Sequence, residues 1–419
     1  MPAEGTRPAP SPRPIYVMAL ACGVGVANLY FPQAITPLLS AAFHVSDGVA
    51  AFVATLAQLG YAAGVFLLVP LGDRLPRRPL ITVLFVVVAA GLFLAGTTGS
   101  LLTLFIFSAV VGVTTVVPQI LIPMAADLAG TRRAGGAVGI VQGGLLGGVL
   151  LSRAFGGVLG QWLGWRAPYL VSGALAVLLA VVLAVALPTT AVPSQHRYPV
   201  LLGTSVQLFR EQPDLRRSCL YQAALFGGFT AAWTSMALLI TGPSYGYGTD
   251  VVGLIALVGA VSVIGVPFAG RLTDRLGPDR ISRIAFIGMA ASGALLLTGS
   301  LGGAAGLAGL IAGLLLLDVS VQSSQVANQA RIFALVPGAR SRLNSTYLTC
   351  VFLGGSAGSW VGARSYLSLG WPGVCGLVTA AGLIALLRHL LRRPPAAAAG
   401  AAAAMIADDS RCCSTGKAP

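Results

Sequence analysis

Asp318 is an acidic residue in the middle of a long apolar segment, and three glutamines follow it at helical spacing. Gln322, Gln325 and Gln329 lie four, seven and eleven positions further along the chain. This spacing places all four side chains on one face of an α-helix. A polar stripe of roughly 16 Å cannot face lipid, so it must line water or contact another helix. If a carboxylate binds and releases protons within the membrane, Asp318 is the candidate, because the other acidic residues lie outside the middle of apolar segments.

Arg153 is the second charged residue deep in an apolar segment, and that segment is rich in glycine. An ionised side chain at the bilayer centre costs about 2.5–3.5 kcal/mol on insertion scales, so it needs a partner or a function. Three interpretations stay open. Arg153 can attract an anionic substrate, pair with Asp318 across a cavity, or extend towards the outer interface near Trp162.

Further polar and aromatic residues occur in other apolar segments. They are Asn28, Tyr30, Gln33, Gln119, Tyr221, Gln222 and Trp233. The amides can line a cavity, or they can only hold neighbouring helices together at about 0.6 kcal/mol for each hydrogen bond. An isolated amide fits the second interpretation, whereas the four-member stripe favours the first. We therefore predict a substrate cavity lined by these residues, the three glutamines of the stripe and Arg153.

The elements that position these residues are membrane-spanning helices. Hydrophobic residues make up 56% of the 419 positions and charged residues only 9%, far below the roughly one quarter typical of soluble domains. Apolar runs of about 20 residues, long enough to cross a bilayer, recur throughout the chain. We predict an all-α membrane protein with twelve transmembrane helices, called spans 1 to 12. They cover residues 14–40, 49–71, 79–97, 101–126, 136–161, 167–187, 217–241, 251–269, 282–300, 303–332, 342–366 and 371–391.

The basic residues predict the orientation of the chain. The formal charge is +14, but the arginines form short clusters between apolar segments and no single basic face, which argues against nucleic-acid binding. With twelve spans, these clusters fall almost entirely on the side of the two termini, and only Arg166 and Arg364 lie near the other side. The positive-inside rule then places both termini in the cytoplasm. The sequence has no metal-ligand spacing and no nucleotide-binding motif, so we predict no metal, no cofactor and no enzymatic activity.

Two halves of six spans are predicted on either side of a linker. The divisions are a cytoplasmic tail at 1–13, an N-terminal bundle at 14–187, a cytoplasmic linker at 188–216, a C-terminal bundle at 217–391 and a disordered cytoplasmic tail at 392–419. Residues 199–210 form an amphipathic stretch in the linker. Three short patterns recur in order in both halves: Asp73-Arg74 as Asp274-Arg275, Gln119 as Gln325, and Gly164-Trp165 as Gly370-Trp371. Such duplication predicts two pseudo-symmetric bundles, an architecture of secondary transporters.

The segments after spans 2 and 8 resemble a signature of a known family. Val69-Pro-Leu-Gly-Asp73-Arg74-Leu-Pro-Arg77-Arg78 resembles the loop 2–3 signature of the major facilitator superfamily, G-x-L-x-D-R-x-G-R-R. Gly270-Arg-Leu-Thr-Asp274-Arg275-Leu-Gly277 resembles its second-half copy, with Pro278-Asp279 in place of the basic pair. The resemblance extends over about 14–392. It includes Asn28-Leu-Tyr30-Phe-Pro-Gln33, which is similar to bacterial sugar- and drug-efflux permeases.

The resemblance implies a conformational latch and a cavity. Asp73 is expected to meet the start of span 11 and to pair with Arg77 and with Asp127 at the end of span 4, which would hold the outward-facing state. The other predicted latch residues are Arg74, Arg78, Asp274 and Arg275. Alternatively, these charges only set topology and solvate the loops. The resemblance also implies that spans 1, 4, 7 and 10 line the cavity.

These features predict a secondary transporter in the bacterial cytoplasmic membrane. Our first hypothesis is proton-coupled efflux of a small organic molecule, as a proton antiporter, through alternating access in a monomer. Its partners would be the substrate, protons and the lipid bilayer. Span 5 lacks the Gly-Pro pair that marks many antiporters of the family. Two alternatives remain open: an importer, symporter or uniporter, of a sugar or other metabolite, and a transporter-like receptor that binds without transport.

Overall fold

The computed structural model describes residues 13–130, 134–188, 197–259, 266–336 and 339–391, and the regular structure in these ranges is helical. The two predicted tails, 1–13 and 392–419, lie outside the described residues. The one exception is the backbone of Arg13. The α-helices are Arg13–Ala34, Thr36–Phe43, Asp47–Ala50, Phe52–Leu67, Arg77–Thr97, Leu101–Thr114, Val117–Ala129, Ala134–Leu163, Arg166–Ala186, Tyr198–Glu211, Pro213–Thr241, Thr249–Gly259, Val266–Leu276, Pro278–Leu297, Gly303–Phe333 and Arg340–Leu390. Short 3₁₀ helices cover Val69–Asp73 and Thr298–Leu301.

These helices form twelve spans in two bundles of six. Within the described ranges, ten helical segments are long and apolar enough to cross a membrane. The longest, Arg340–Leu390, bends at Gly370 and supplies both span 11 and span 12. Span 8 consists of Thr249–Gly259 and Val266–Leu276, and the residues between these two helices lie outside the described ranges. Span 7 begins at Pro213, four residues earlier than predicted, because proline is well suited to the first turn of a helix.

The turns between spans 5 and 6 and between spans 11 and 12 use the predicted Gly-Trp pairs. Gly164 has a φ of 84° and Gly370 a φ of 67°, a left-handed conformation that favours glycine. The tryptophan after each glycine is buried. The side of the molecule that carries these two turns is called the Gly164 face, and the opposite side, with the turn after span 2, the Asp73 face.

The two halves are closed against each other towards the Gly164 face. Spans 5 and 8 approach so closely that a Cβ atom on Gly157 would clash with the Thr249 carbonyl oxygen. The Thr249 hydroxyl donates to the Gly157 carbonyl oxygen at 3.0 Å. Spans 2 and 11 form a second contact between the halves, where the Thr55 hydroxyl donates to Ser359 Oγ at 3.2 Å. Small residues therefore allow direct backbone packing between the bundles.

The linker contains the predicted amphipathic segment as the helix Tyr198–Glu211. This helix lies at the Asp73 face and touches both halves. The Tyr198 hydroxyl donates to the Leu67 carbonyl oxygen of span 2 at 2.7 Å, and the Thr346 hydroxyl of span 11 reaches the Ser205 carbonyl oxygen at 3.5 Å. Partial burial raises the pKa of Tyr198, so this phenol remains a neutral donor.

Candidate functional site

Arg153 lies in a buried aromatic pocket where spans 1, 5 and 7 meet. The residue is only 1% exposed. Its guanidinium carbon lies 4.2 Å from the ring centroid of Trp233, 5.0 Å from that of Tyr30 and 5.4 Å from that of Phe229. These distances are within the range of cation–π attraction, which is strongest where water is excluded. Of the three interpretations left open for Arg153, the extension towards the outer interface does not fit this buried position.

Asp318 is adjacent to this pocket, on span 10. It is 4% exposed and lies halfway along the helix Gly303–Phe333. The indole N–H of Trp233 donates to Asp318 Oδ1 at 3.3 Å. A Cβ atom on Gly259 of span 8 would lie 3.0 Å from Asp318 Oδ2, so glycine leaves the room that the carboxylate occupies. In the described part of the chain, no ion pair within 4.0 Å joins Asp318 to Arg153.

Gln33 is the hydrogen-bonding partner of Arg153. Arg153 Nε donates to Gln33 Oε1 at 3.2 Å. Two neighbouring donors, Arg153 Nη2 and Gln33 Nε2, are buried without a partner among the described residues, and so are both amide atoms of Asn28. A buried donor without an acceptor costs about 1–3 kcal/mol, and more for a charged group. The fold therefore carries polar groups here that its own packing does not satisfy.

A cavity of about 310 Å³ lies between the halves on the Asp73 side of this pocket. Its polar lining consists mainly of amides, which are Gln119, Gln142, Gln325, Gln329 and Asn344, and it also includes Arg340, Ser341 and Ser345. Gln119 and Gln325, the pair that repeats between the halves, thus line one cavity from spans 4 and 10. The stripe extends from this cavity through the partly exposed Gln322 to Asp318. The predicted residues therefore form a buried charged group and an amide-lined cavity, connected by one face of span 10.

Two predicted cavity residues lie elsewhere. Tyr221 packs against Phe286 of span 9 and His389 of span 12, with ring centroids at 4.9 and 5.9 Å. Gln222 donates to the Val321 carbonyl oxygen at 3.1 Å and accepts from Asn328 at 3.4 Å. Gln222 therefore holds spans 7 and 10 together, as the alternative interpretation of the amides allowed.

Sequence reasoning missed several residues near the site. Gln142 and Asn344 line the cavity, and Phe229 completes the ring of aromatics around Arg153. Gln58 of span 2 is fully buried with neither amide atom partnered among the described residues. An amide within an apolar span was the available signal for Gln58 and Gln142. Phe229 carried no signal, because a phenylalanine in an apolar helix is ordinary.

One contact of the predicted latch occurs in the first half, whereas Asp73 forms no ion pair with Arg77 among the described residues. Arg77 Nη1 lies 2.7 Å from Asp127 Oδ2 and joins the start of span 3 to the end of span 4. Asp73 lines a small pocket together with Arg342 and Ser341, so it lies beside the start of span 11. Arg74 is exposed and Arg78 is half-buried, and neither forms an ion pair among the described residues.

The second half makes the equivalent contact with the charges exchanged. Asp274 and Arg275 are exposed and form no ion pair among the described residues, so the second copy of the latch does not pair as predicted. Asp279 at the start of span 9 instead binds Arg331 at the end of span 10, at 3.0 Å. Asp279 also pairs with Arg217 of span 7. The acid now lies on the first helix of the pair and the arginine on the second, which explains the departure from the signature.

Two six-helix membrane bundles that enclose a buried polar site and a cavity between them define a transporter. A sequence model of the Major Facilitator Superfamily matches residues 16–321. The chain belongs to this superfamily, and it is a transporter, not an enzyme.

Relatives over most of the chain are named as transporters. The chain is 36% identical over 384 residues to the putative uncharacterized transporter YgaY of Escherichia coli (strain K12), an alignment that covers 91% of this chain and 95% of the relative. It is 35% identical over 367 residues to the probable transporter SCO4007 of Streptomyces coelicolor. That alignment covers 87% of this chain and 84% of the relative.

Solved structures share the fold at low sequence identity. The nucleoside transporter NupG, in the form of a point mutant, has a TM-score of 0.71 and 13% identity, with 90% of this chain and 99% of that chain covered. A bacterial homologue of the human lysosomal transporter Spinster, described as inward-facing and unoccupied, has a TM-score of 0.64 and 15% identity. That comparison covers 92% of this chain and 95% of the other.

Proposed function

We propose that this transporter exports a small organic molecule by proton-coupled alternating access and that Asp318 binds the coupling proton. The supporting observation is a carboxyl group enclosed at the junction of the two halves. It is hydrogen-bonded to span 7 and close to an arginine on span 5. Protonation would remove a negative charge from this junction, so the two protonation states would favour different packings of the halves.

The direction of loading follows from the proposed orientation. With the Asp73 face in the cytoplasm, the amide-lined cavity lies on the cytoplasmic side and the Gly164 face is closed towards the exterior. Such a conformation suits the step in which an exporter takes up its substrate. The opposite state would separate spans 5 and 8 and also spans 2 and 11, while the Asp73 face closes. The contact of Asp73 with the start of span 11 would then strengthen.

Growth under chemical stress tests this proposal. An efflux-deficient bacterium would express the wild type, Asp318→Asn or the control Asp274→Asn at matched levels, and it would be exposed to a broad panel of toxic compounds. Asp274 is an exposed acid, so its loss leaves the buried site intact. We expect resistance to some compounds in the wild type and the control and its loss in Asp318→Asn. Resistance that survives in Asp318→Asn would exclude Asp318 as the coupling residue.

Import by proton symport is the second candidate, and one observation favours it. Arg153 and Asp318 carry opposite charges and contact the same indole ring. A substrate that competes with Asp318 for Arg153 would bind best when Asp318 is protonated, so that substrate and proton would cross together. Uptake of labelled metabolites by cells under an inward proton gradient distinguishes this candidate from export.

A further inference from the structure

Two N–H donors at Arg153 and Gln33 lack an acceptor. Arg153 uses Nε to bind Gln33, whereas its Nη2 and the Nε2 of Gln33 remain without partners among the described residues. Both unsatisfied atoms are N–H donors, and the hydrogen bond between the two side chains keeps them in the same pocket. A positive group and an amide donor together bind a negatively charged oxygen more strongly than a neutral one.

Asp318 does not satisfy this requirement directly. Its carboxylate is more than 4.0 Å from the guanidinium, since no ion pair between them is found in the described part of the chain, and it accepts a hydrogen bond from Trp233 instead. The guanidinium is therefore compensated only at a distance. Its Nη2 remains a buried donor without an acceptor among the described residues.

We infer that the substrate carries an anionic oxygen group, of the carboxylate type, that binds to Arg153 and Gln33. This inference rests on the proposed function for the substrate site at Arg153, and its charge coupling to Asp318 favours the second candidate, proton symport. Arginine matches the two oxygens of a carboxylate with parallel N–H donors. The rings of Tyr30, Phe229 and Trp233 surround the same guanidinium and offer flat apolar surfaces. The substrate class is thus an organic anion with a planar or apolar body.

The amide stripe supplies the route to this pocket. The unsatisfied donors are buried in the present conformation, so a ligand reaches them only when the surrounding side chains or the two halves move apart. The cavity next to Gln325 and Gln329 opens on the Asp73 side, and Gln322 lies between it and Asp318. Amides can hydrogen-bond a carboxylate along this path without holding it as strongly as an arginine.

Binding of the anion and protonation of Asp318 favour each other. Among the described residues, the ionisable group next to Asp318 is Arg153 on span 5, and Tyr30 on span 1 packs against the same guanidinium. Spans 7 and 8 contribute Trp233 and Gly259. An anion at Arg153 beside an ionised Asp318 would place two negative charges against one positive charge in a poorly screened site. Protonation of Asp318 removes this repulsion. The anion therefore binds more tightly as the pH falls, and anion and proton would cross the membrane together, as in the second candidate.

Calorimetry on the purified full-length protein tests the inference with matched ligands. The probes are benzoate, indole-3-acetate and acetate, each paired with its uncharged carboxamide. We expect at least one aromatic acid to bind about tenfold more tightly than its amide in the wild type. Arg153→Gln should abolish this preference, while the control Arg364→Gln, which removes an exposed arginine, should retain it. Folding of each variant is checked by size-exclusion chromatography and thermal unfolding.

The outcomes separate this inference from the proposed function. Equal binding of acids and amides by the wild type, or an acid preference that survives in Arg153→Gln, would overturn the inference. Tighter binding of the acid at mildly acidic than at mildly alkaline pH, lost in Asp318→Asn, would support the coupling. If proteoliposomes transport only uncharged compounds in an Asp318-dependent way, the result would support the proposed function and contradict the anion site. If acids bind at Arg153 but are not transported, the result would support the anion site and contradict transport of anions through it.

Discussion

The indole N–H of Trp233 donates a hydrogen bond to Asp318 at 3.3 Å, from the same ring that packs against the guanidinium of Arg153 at 4.2 Å. One side chain of span 7 therefore contacts a base from the first half and an acid from the second. A change in the charge of either group alters the contact of the other with this ring. If the substrate binds at Arg153 as proposed, this arrangement would let a proton on Asp318 influence it without a direct ion pair.

Asp318→Asn should separate exchange from net transport. Asparagine keeps the size of the side chain and an acceptor for Trp233, but it cannot bind and release a proton. In proteoliposomes, we expect counterflow of the substrate to persist within about twofold of the wild type, while accumulation driven by a pH gradient disappears. Asp274→Asn serves as the control. Accumulation that persists in Asp318→Asn would require another coupling residue.

Trp233 variants should distinguish the role of its hydrogen bond to Asp318 from the role of its aromatic ring. Trp233→Phe keeps an aromatic face for Arg153 but removes the N–H donor to Asp318, so we expect a changed pH profile of transport with nearly unchanged substrate affinity. Trp233→Leu also removes the cation–π contact that holds the guanidinium of Arg153, worth about 2 kcal/mol in a desolvated site, so the unfolding temperature in detergent and the substrate affinity should both fall. Measured pH profiles that are identical in the wild type and Trp233→Phe would contradict a role for this hydrogen bond.

Local sequence patterns predicted the elements that depend on nearby residues. Gly164 and Gly370 have left-handed backbone conformations in short turns between two helices. Because glycine adopts this conformation most easily, a Gly-Trp pair between two apolar segments predicts such a turn. The stripe below Asp318 was readable because one helix carries all four residues. Helical spacing fixes their common face whatever the neighbouring spans do.

Contacts between distant segments could not be read in the same way. Tyr221 and Gln222 are polar residues in an apolar span, and only the packing of spans 9, 10 and 12 shows that they are satisfied within the C-terminal bundle. In the sequence, Asp279 is a departure from the signature. In the structure it lies beside Arg331, which is 52 positions further along the chain. The sequence offered no signal that an acid and an arginine had exchanged places between equivalent helices.

A disulfide across the Gly164 face should arrest transport. Thr55 of the first half and Ser359 of the second have hydroxyl oxygens 3.2 Å apart, so Thr55→Cys with Ser359→Cys in a cysteine-free background can form a disulfide with little movement. We expect oxidation to block transport almost completely and reduction to restore it. The matched control is Thr234→Cys with Ser359→Cys, whose hydroxyl oxygens are 3.1 Å apart within one half. Alternating access requires the first pair, but not the second, to separate.

Arg77–Asp127 and Arg331–Asp279 are ion pairs of opposite polarity at equivalent positions of the two halves. We therefore expect that exchanging the acid and the arginine of the first pair preserves folding. Asp127→Asn would leave Arg77, whose side chain is only 8% exposed, without its acid. Because the Asp127 side chain is 63% exposed, solvent screens the pair, and we expect a loss of about 1 kcal/mol, seen as a lower unfolding temperature in detergent. In the second half, Asp279 and Arg331 join the equivalent helices with the opposite polarity. The double variant Arg77→Asp with Asp127→Arg should therefore recover most of the lost stability. A double variant no more stable than Asp127→Asn would mean that the polarity in the first half is set by another group, and Asp73, in the adjoining turn, would be the first to test.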